Sequence, residues 1–523
     1  MIRVRQIKIP IEKNNEEIIK KELSKKLKIK EKEILDYKIN KKSIDAREDI
    51  FYIYEIDLKL ENEKKIKYSK DILKTPKEEY IYPIIGKTPI HDRILIVGSG
   101  PAGLFAAYLL SEMGYHPLIV EQGEKVEDRV KTVEHFFQTN ELKESSNIQF
   151  GEGGAGTFSD GKLNTLVKDR EFRGKKVFEI FVENGAPKEI LYEKNPHIGT
   201  DVLRGVIKNM REKIISMGGE FLFQTKMTDI ILENGKIKEI EVNKERKIPC
   251  DILILAIGHS ARDTFYLLKD KGLEMKNKNF AIGVRVEHPQ EMINKNQYKE
   301  KYHLLPPASY KLTYQTKDNR GVYSFCMCPG GFVVNASSEK NRLTINGMSN
   351  YKRDEKNANS AIVVTITEKD YGKNLLDGVK YQRELEEKAY EVGEGKIPIQ
   401  LLEDFIKNQK TKELKEIIPN MKGSYQFANL NDCLPKEISD AIKEAMEDFS
   451  KKIKGFNRGD CILSAIEART SSPVRIIRDE YFESNIKGIY PTGEGAGYAG
   501  GITTSAMDGL KVAESIITRY NNS

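Results

Sequence analysis

The chain has 523 residues, enough for two or three domains with sizeable hydrophobic cores. Charged residues make up 32% of it, the mean hydropathy is −0.53, and no apolar run approaches the ~20 residues of a membrane span. These features exclude a membrane-spanning protein. Five cysteines without zinc-ligand spacing, and an N-terminus without the apolar core of a signal peptide, predict a protein of the reducing cytoplasm without a metal site.

Residues 1–90 form a basic unit, with 23 Lys and Arg against 17 Asp and Glu. Their apolar spacing predicts strands over residues 2–9, 34–44 and 50–60 and a helix over residues 16–27. A basic unit can bind nucleic acid, but a lysine-rich solvated surface is the commoner reason for such a charge. We therefore predict a small α+β appendage without flavin ligands, and nucleic acid is not an expected partner.

A dinucleotide-binding fingerprint follows this unit. Residues 94–97 read as a buried parallel strand, and Gly98-Ser99-Gly100-Pro101-Ala102-Gly103 after them has the pattern G-x-G-x-x-G. The first glycine makes the tight turn, the second lets a pyrophosphate approach the backbone, and the third lets the next helix pack closely. That helix, ending near Gly114, points its free N–H groups at the phosphates. The pattern predicts a dinucleotide site.

Glu121 stands at the end of the second predicted strand, residues 116–120. An acidic residue about 20 positions after the fingerprint accepts hydrogen bonds from the hydroxyls of an adenosine ribose. It would also repel a 2′-phosphate. We expect Glu121 to bind the ribose and to disfavour NADP at this site.

Two further glycine-rich stretches predict contacts with the same ligand. In residues 150–165, FGEGGAGTFSDGKLNT, five glycines free the backbone to wrap a ligand and the polar residues suit a cofactor-lining loop. Near the C-terminus, residues 488–497 read as a short strand entering a glycine turn, and residues 498–509 open a helix that runs through Ile517. Between them, residues 251–257 are another buried strand, ending in Gly258-His259-Ser260.

Residues 270–460 mix strand-like runs with long helical stretches and read as an inserted α+β domain. Cys326 and Cys328 lie two positions apart at the end of one strand-like run, so that both sulfurs are expected on one face of the strand. Core or pocket-lining thiols are the favoured interpretation, and a redox relay is the alternative. Arg285, Tyr323 and Asn350 are candidate polar contacts of a substrate.

The fingerprint, the ILAIGHS strand end and the YPTGEGAGYAGGITTSAMDG stretch together resemble two-dinucleotide-binding-domain flavoproteins of the glutathione-reductase-like class. Within it the chain is most similar to the bacterial FAD-dependent, NAD(FAD)-utilizing dehydrogenases, over nearly its whole length. The resemblance implies an α/β fold: a Rossmann-like FAD-binding domain with an inserted α+β substrate or cap domain and a small N-terminal α+β domain. The expected boundaries are 1–90 for the appendage, 91–269 with 461–523 for the FAD-binding domain, and 270–460 for the inserted domain.

The resemblance also implies which residues hold a non-covalently bound FAD. The fingerprint contacts the pyrophosphate, Lys226 or Met227 meets the adenine, Ala256 and Gly258 close over the middle of the cofactor, and the C-terminal turn contacts the ribityl chain and the flavin. The expected FAD-binding residues are Gly98, Gly100, Pro101, Ala102, Gly103, Glu121, Gln122, Arg129, Gly153, Gly154, Ser159, Asp160, Lys162, Leu163, Lys226, Met227, Ala256, Gly258, Gly493, Glu494, Gly501, Ile502 and Thr503.

The leading interpretation is an FAD-dependent oxidoreductase, a dehydrogenase or reductase, that exchanges hydride with a small or medium organic substrate. A tRNA-modifying flavoprotein and a non-catalytic flavin-bound regulatory protein are the alternatives. Because no second strand–GxGxxG–helix unit occurs in the sequence, NAD(P)H must use the substrate cleft if it is the electron donor. Ferredoxin or reduced flavodoxin is the other candidate donor. The substrate, the catalytic acid or base and the oligomeric state stay open.

Overall fold

In a computed structural model, which describes residues 1–165 and 167–522, the N-terminal unit is a four-stranded antiparallel sheet covered by one helix. Asn15 caps that helix by accepting from the Ile18 N–H, and Ile19, Leu23 and Leu27 turn one apolar stripe onto the sheet. The predicted elements are confirmed. They are β1 (Ile2–Pro10), α1 (Glu16–Leu27), β2 (Ile34–Asp45), β3 (Phe51–Leu60) and β4 (Ile72–Lys74), in the sheet order β2–β3–β1–β4.

The proline-rich link after β4 lies along the next domain. The Gly86 N–H donates to the Ile517 carbonyl at 2.8 Å, and a side chain at position 86 would lie 2.3 Å from the Arg519 backbone. Strand β5 (Thr88–Ile90) then pairs in parallel with the last strand of the chain, Tyr520–Asn522. Both ends of the FAD-binding region predicted from the sequence therefore lie side by side.

The segment from residue 94 to residue 277 contains the strand–helix–strand unit β6–α2–β7 of the predicted Rossmann-like domain, followed by further helices and strands. Its bounds are β6 (Ile94–Val97), α2 (Pro101–Glu112), β7 (Leu118–Val120), α3 (Val126–Thr139), α4 (Arg173–Glu183), α5 (Thr200–Ser216), β8 (Glu220–Leu222), β9 (Met227–Glu233), β10 (Lys236–Val242), β11 (Arg246–Pro249), β12 (Ile252–Leu255), α6 (Arg262–Asp270) and β13 (Met275–Asn277).

The inserted domain is built on a seven-stranded sheet, in the order β15–β16–β19–β14–β23–β20–β22, with a three-stranded sheet, β18–β17–β21, beside it. Its bounds are β14 (Phe280–Pro289), α7 (Gln290–Tyr298), β15 (Thr313–Gln315), β16 (Gly321–Cys328), β17 (Phe332–Asn335), β18 (Ile345–Met348), β19 (Asn357–Ile366), α8 (Glu368–Tyr371), α9 (Asp377–Val392), β20 (Ile397–Leu401), α10 (Leu402–Lys407), β21 (Met421–Lys422), β22 (Tyr425–Phe427), α11 (Lys436–Lys452) and β23 (Ile462–Glu467).

The chain then returns to the first domain through β24 (Val474–Ile476), β25 (Ile489–Pro491), α12 (Ile502–Arg519) and β26 (Tyr520–Asn522). Strand β23 pairs with β14 and β20, so the boundary predicted at residue 460 moves to after residue 467. Strand β25 completes a five-stranded parallel sheet in the order β25–β12–β6–β7–β8. The strand order reverses between β6 and β12, the position where open α/β sheets bind ligands.

The two faces of the seven-stranded sheet differ sharply. On β14, Ile282, Val284 and Val286 enter the main core of the inserted domain, whereas Arg285 and Glu287 point to the other face. Between that face and the three-stranded sheet, the described residues leave three buried polar atoms without a hydrogen-bond partner: Glu287 Oε2, Asn359 Nδ2 and Ser464 Oγ. Glu287 lies opposite Asn359 across the β14–β19 ladder. Burial raises the pKa of Glu287 to about 7.

Buried ion pairs join the Rossmann-like domain to the inserted domain. The Glu386 carboxylate on α9 accepts from Arg262 on α6 at 2.6 and 2.9 Å and from Arg469, just after β23, at 2.8 Å through each oxygen. Both guanidiniums hold the pKa of Glu386 well below its usual range, at about 2, against the opposing effect of burial. The carboxylate stays charged because each of its oxygens has two cationic donors.

Candidate functional site

The carboxyl ends of β6 and β12 form the crevice of the parallel sheet. Gly98 leaves β6 with φ +102°, and a side chain there would come within 2.2 Å of the Ala256 carbonyl after β12. A Cβ at Gly103 would lie 2.0 Å from the Gly98 carbonyl, so the helix packs on the turn as predicted. A Cβ added at Gly100 would have the Gly154 Cα as its nearest non-neighbouring atom, at 3.8 Å. Gly100 is the N-cap residue of α2 and supplies no capping side chain. The free N–H groups of α2 therefore face open space that suits a pyrophosphate.

Glu121 is buried beside this turn and is saturated with donors. Its Oε2 accepts from the Ser99 N–H and hydroxyl at 3.0 and 2.7 Å, and its Oε1 accepts from the Gly123 and Gly151 N–H groups at 2.9 and 3.0 Å. A carboxylate offers about four lone-pair positions, and four donors fill them. Glu121 thus ties the fingerprint turn to the glycine-rich loop, while the half-buried Gln122 follows it. Its contact with a ribose stays a prediction.

Arg129 has a different role from the predicted cofactor contact. Its guanidinium is fully buried and donates to the backbone carbonyls of residues 147, 148, 151, 152 and 154. A Cβ at Gly151, where φ is +119°, would lie 2.4 Å from the Arg129 side chain. Arg129 therefore shapes the glycine-rich loop from beneath. The sequence did not reveal this role of Arg129, because every residue has a backbone carbonyl and no particular residue type marks the acceptors.

The shaped loop lies on the fingerprint. The Gly153 N–H donates to the Ser99 carbonyl at 2.9 Å, and a Cβ at Gly154 would lie 3.0 Å from the Gly100 Cα. Further along, the Ser159 hydroxyl donates to the Gly156 carbonyl at 2.7 Å and accepts from the Gly161 N–H at 3.0 Å. The glycine-rich loop therefore packs directly on the fingerprint turn, and a local hydrogen-bonded turn fixes its end.

Asp160 and Lys162 connect this loop to the inserted domain. Asp160 is buried and accepts from Arg353 Nε at 2.9 Å, with Lys162 Nζ 3.2 Å away. The two cations hold the pKa of Asp160 well below its usual range despite burial. Lys162 Nζ also donates to the Met327 carbonyl. The two side chains predicted to bind cofactor are thus engaged in a bridge between the domains.

The C-terminal turn reaches the same place. Gly493 has φ +75°, and its N–H donates at 2.8 Å to buried Asp508, which also accepts from Arg478. Helix α12 begins at Ile502 with no capping side chain on Gly501, and the Thr503 hydroxyl donates to the Leu163 carbonyl at 2.8 Å. The start of α12, the glycine-rich loop and Pro101 of α2 line one small apolar cavity. Three predicted stretches therefore converge.

The segment predicted to meet the adenine lies on the other side of Glu121. The Thr225 N–H donates to the Glu121 carbonyl at 2.9 Å. The Lys226 N–H donates to Asn243 Oδ1 at 2.8 Å and its ammonium pairs with Asp263, while Met227 is buried at the start of β9. The structure places this segment next to the fingerprint turn, and its contact with adenine stays a prediction.

The sheet of the inserted domain supplies an apolar patch. Ala281, Ala361 and Val363 form a small buried cluster on the polar face of the sheet, and the partly exposed rings of Tyr323 and Phe325 pack on it. The three small residues are fully buried under the two rings, whose partly exposed faces are the apolar planar surface on this side of the sheet.

Two predictions about this region are wrong. Arg285 is fully buried and donates to Glu467, Asn359, Asn346 and the Cys326 carbonyl, so its guanidinium is not available to a substrate. Cys326 has φ +41° at a β-bulge, and it is exposed whereas Cys328 is buried. The bulge breaks the two-residue alternation, so the sulfurs do not share a face.

Cys326 was predicted as a core or pocket-lining thiol, whereas Glu467 was not assigned a role from the sequence. Desolvation by neighbouring atoms raises the pKa of the Cys326 thiol. Burial raises the pKa of Glu467, whose partner Arg285 acts in the opposite direction. His259, after the turn at Gly258, is a further polar residue of the crevice. Only the ILAIGHS strand end pointed to it.

Comparison with known proteins gives the family. A protein of Clostridium beijerinckii (strain ATCC 51743 / NCIMB 8052), described as an uncharacterized protein, is 46% identical over 99% of both chains. Residues 279–470 match the family described as "FAD-dependent protein, C-terminal domain-like", and residues 96–147 match the "NAD(P)-binding Rossmann-like domain". The chain belongs to a family of FAD-dependent proteins. Residues 1–59 of this flavoprotein match a domain of unknown function.

Solved structures resemble this flavoprotein only distantly. The flavin-dependent brominase Bmp2 is 13% identical over 81% of this chain and 77% of its own, with a TM-score of 0.38. L-proline dehydrogenase from P. horikoshii is 13% identical over 82% of this chain and 93% of its own, with a TM-score of 0.33. Such likenesses add nothing on the reaction.

FAD, the cofactor of this family, fits the crevice. The starts of α2 and α12 have no capping side chain, so both offer free backbone donors to the diphosphate and the flavin end. The space at Gly100 lets the diphosphate come close to the backbone. In residues 1–165 and 167–522, no cluster of three or more His, Cys, Asp or Glu could hold a metal ion. Within the same residues no helix is both long and apolar enough to cross a bilayer.

Proposed function

We propose that this flavoprotein is an oxidoreductase that exchanges hydride between FAD and an organic substrate held between the Rossmann-like domain and the inserted domain. The observation that carries the proposal is the position of the Ala281–Ala361–Val363 patch, whose sheet is tied to the cofactor loop by the Asp160–Arg353 pair. The partly exposed rings of Tyr323 and Phe325, which cover this patch, offer planar apolar surface to an organic molecule.

The residues of the chain bind the cofactor, orient the substrate and shield the site from water. The glycines of the fingerprint and the start of α12 hold the diphosphate and the flavin end, and the patch orients the substrate. The apolar cavity around Pro101 and Ile502 excludes water behind the cofactor. FAD itself, when bound, supplies the two-electron chemistry.

The two cysteines favour direct exchange over a thiol relay. A relay needs both sulfurs to approach each other and the cofactor, whereas Cys326 is exposed and Cys328 is buried beside Arg285 and Gly347. The raised pKa of both thiols also keeps the nucleophilic thiolate scarce at neutral pH. Cys326 therefore lines the cleft without acting as a redox centre.

NAD(P)H is the proposed transient electron donor, with ferredoxin or flavodoxin as the alternative. Among the described sheets, only the β25–β12–β6–β7–β8 sheet has the parallel order of a nucleotide-binding domain, and its crevice is the FAD site. A nicotinamide would then enter the substrate cleft. Anaerobic mixing of the holoenzyme with NADH or NADPH, followed by the loss of flavin absorbance, identifies the donor. Rapid bleaching by reduced ferredoxin alone would remove NAD(P)H from the proposal.

The cofactor site is tested by two glycine-to-alanine changes, each within a helix. Gly103→Ala places a methyl group 2.0 Å from the Gly98 carbonyl, whereas Gly205→Ala on α5 meets nothing within 4 Å. We expect Gly103→Ala to lose most of the FAD and Gly205→Ala to keep the wild-type flavin content, measured by absorbance and by chromatography of heat-released flavin. Heat-released FMN, flavin retained by acid-precipitated protein, or equal FAD in both variants would overturn the proposed site.

A further inference from the structure

The crevice contains a histidine–glutamate pair in which one imidazole nitrogen has no hydrogen-bond partner among the described residues. His259 Nδ1 lies 3.4 Å from Glu494 Oε1, and the two side chains are 12% and 25% exposed. His259 Nε2 is buried and has no hydrogen-bond partner among the described residues. Polar atoms buried in proteins are nearly always hydrogen-bonded, so an unpaired nitrogen beside a cofactor crevice points to a ligand.

The backbone brings the pair together and holds it. A Cβ at Gly495 would lie 2.5 Å from the Gly258 carbonyl, so the glycine lets the turn after β25 approach the turn after β12. The next residue, Ser260, is fixed because its hydroxyl donates to Gln149 and accepts from Arg469. His259 therefore stands between an anchored serine and a carboxylate, which limits its imidazole to a narrow range of positions.

Glu494 lies on the Nδ1 side of the imidazole, with its Oε1 3.4 Å from that nitrogen. When the Nδ1–H of a neutral histidine donates to a carboxylate, Nε2 carries the lone pair and can accept a proton. The charged groups around His259 are Glu494 and Glu467. Lys278 and Arg475 lie beyond Glu494, where Glu494 opposes the lowering of the Lys278 pKa by burial.

We infer that His259 is a redox-linked proton acceptor of the crevice, an inference that rests on the proposed function. Two electrons and one proton added to the cofactor leave one negative charge in the crevice. A second proton from solvent moves to His259 Nε2 and balances it. Glu494 acts as the positioning residue, since its carboxylate lies beside Nδ1 and leaves Nε2 as the nitrogen that receives the proton.

The test uses the holoenzyme and needs no substrate. The midpoint potential of bound FAD is measured with dithionite and reference dyes at several values between about pH 5 and 8, the range in which histidine titrates. For a two-electron couple, each proton taken up adds about 30 mV per pH unit to the slope. We expect the wild-type slope to exceed that of His259→Gln by about one proton over part of this range.

Two further variants make the result specific. His135→Gln is the matched control, because His135 forms the same type of pair with Glu141, at 3.0 Å, on the exposed surface. It should keep the wild-type slope. His259→Asn retains a donor toward Glu494 without a titrating group, and it replaces His259→Gln if that variant loses FAD.

Equal slopes in the wild type and the His259 variants would overturn the inference and leave the oxidoreductase proposal intact. A wild-type protein without reducible FAD would instead refute the proposed function, and the inference with it. An equal loss of slope in His135→Gln would also overturn the inference, because a surface histidine would then account for the proton.

Discussion

Replacing Glu287 with glutamine should make the stability of the protein less sensitive to a rise in pH from about 5 to 8. The Glu287 carboxyl is fully buried between the two sheets of the inserted domain, and its Oε1 accepts from Asn357 Nδ2 at 3.0 Å and the Asn420 N–H at 2.8 Å. Burial raises its pKa from 4.5 to about 7. Such a change corresponds to about 3 kcal/mol of free energy of unfolding.

The sign follows from which state holds the proton. Between about pH 4.5 and 7 the unfolded chain has lost the Glu287 proton while the native chain keeps it, so native stability falls as the pH rises through this window. Glutamine keeps the Oε1 acceptor and cannot ionise. Relative to the wild type, Glu287→Gln should therefore gain about 3 kcal/mol between about pH 5 and 8.

The assay is guanidinium unfolding monitored by circular dichroism at about pH 5 and about pH 8. Glu480→Gln is the control, because Glu480 is exposed. That control should follow the wild type at both pH values. A stability difference between Glu287→Gln and the wild type that does not change with pH would refute the reasoning. It would mean that Glu287 keeps its ordinary pKa in the native protein despite its burial.

Three further predictions follow from the crevice and the N-terminal unit. Glu121→Ala removes the acceptor of four hydrogen bonds, so the FAD dissociation constant should rise by at least about ten-fold in fluorescence titrations; an unchanged constant would contradict this role. A chain that starts at Pro76 retains the packed link and should fold yellow, whereas a colourless folded product would assign cofactor contacts to the appendage. Cys326→Ser with Cys328→Ser should leave FAD content and flavin reoxidation unchanged in stopped-flow measurements; loss of reoxidation by every acceptor would restore the thiol relay.

Local signals predicted the parts of the fold that local chemistry determines. The apolar run of β6, the glycine fingerprint and the helix after it depend on neighbours within a few residues, and the structure confirms all three. The same holds for α11, whose apolar stripe is visible at helical spacing. Such elements are predictable because their backbone conformation and their buried face are encoded together.

The missed features depend on residues that are distant in the sequence. The β-bulge at Cys326 is set by the register of β16 against β19, which no pattern within β16 reveals. His259 meets Glu494 only because Gly495 permits close contact between two turns. Arg129 binds backbone carbonyls, so no partner side chain marks its role. These contacts form only in the folded chain.

The buried Glu386 cluster has a mechanical consequence. A hinge opening between α6 and α9 would take Glu386 away from Arg262 in a place that water does not reach. Stripping a buried ion of one partner costs about 3–5 kcal/mol. The buried pair therefore opposes a hinge opening between the two large domains. The Asp160–Arg353 pair acts in the same direction, because it ties the glycine-rich loop to the inserted domain away from solvent.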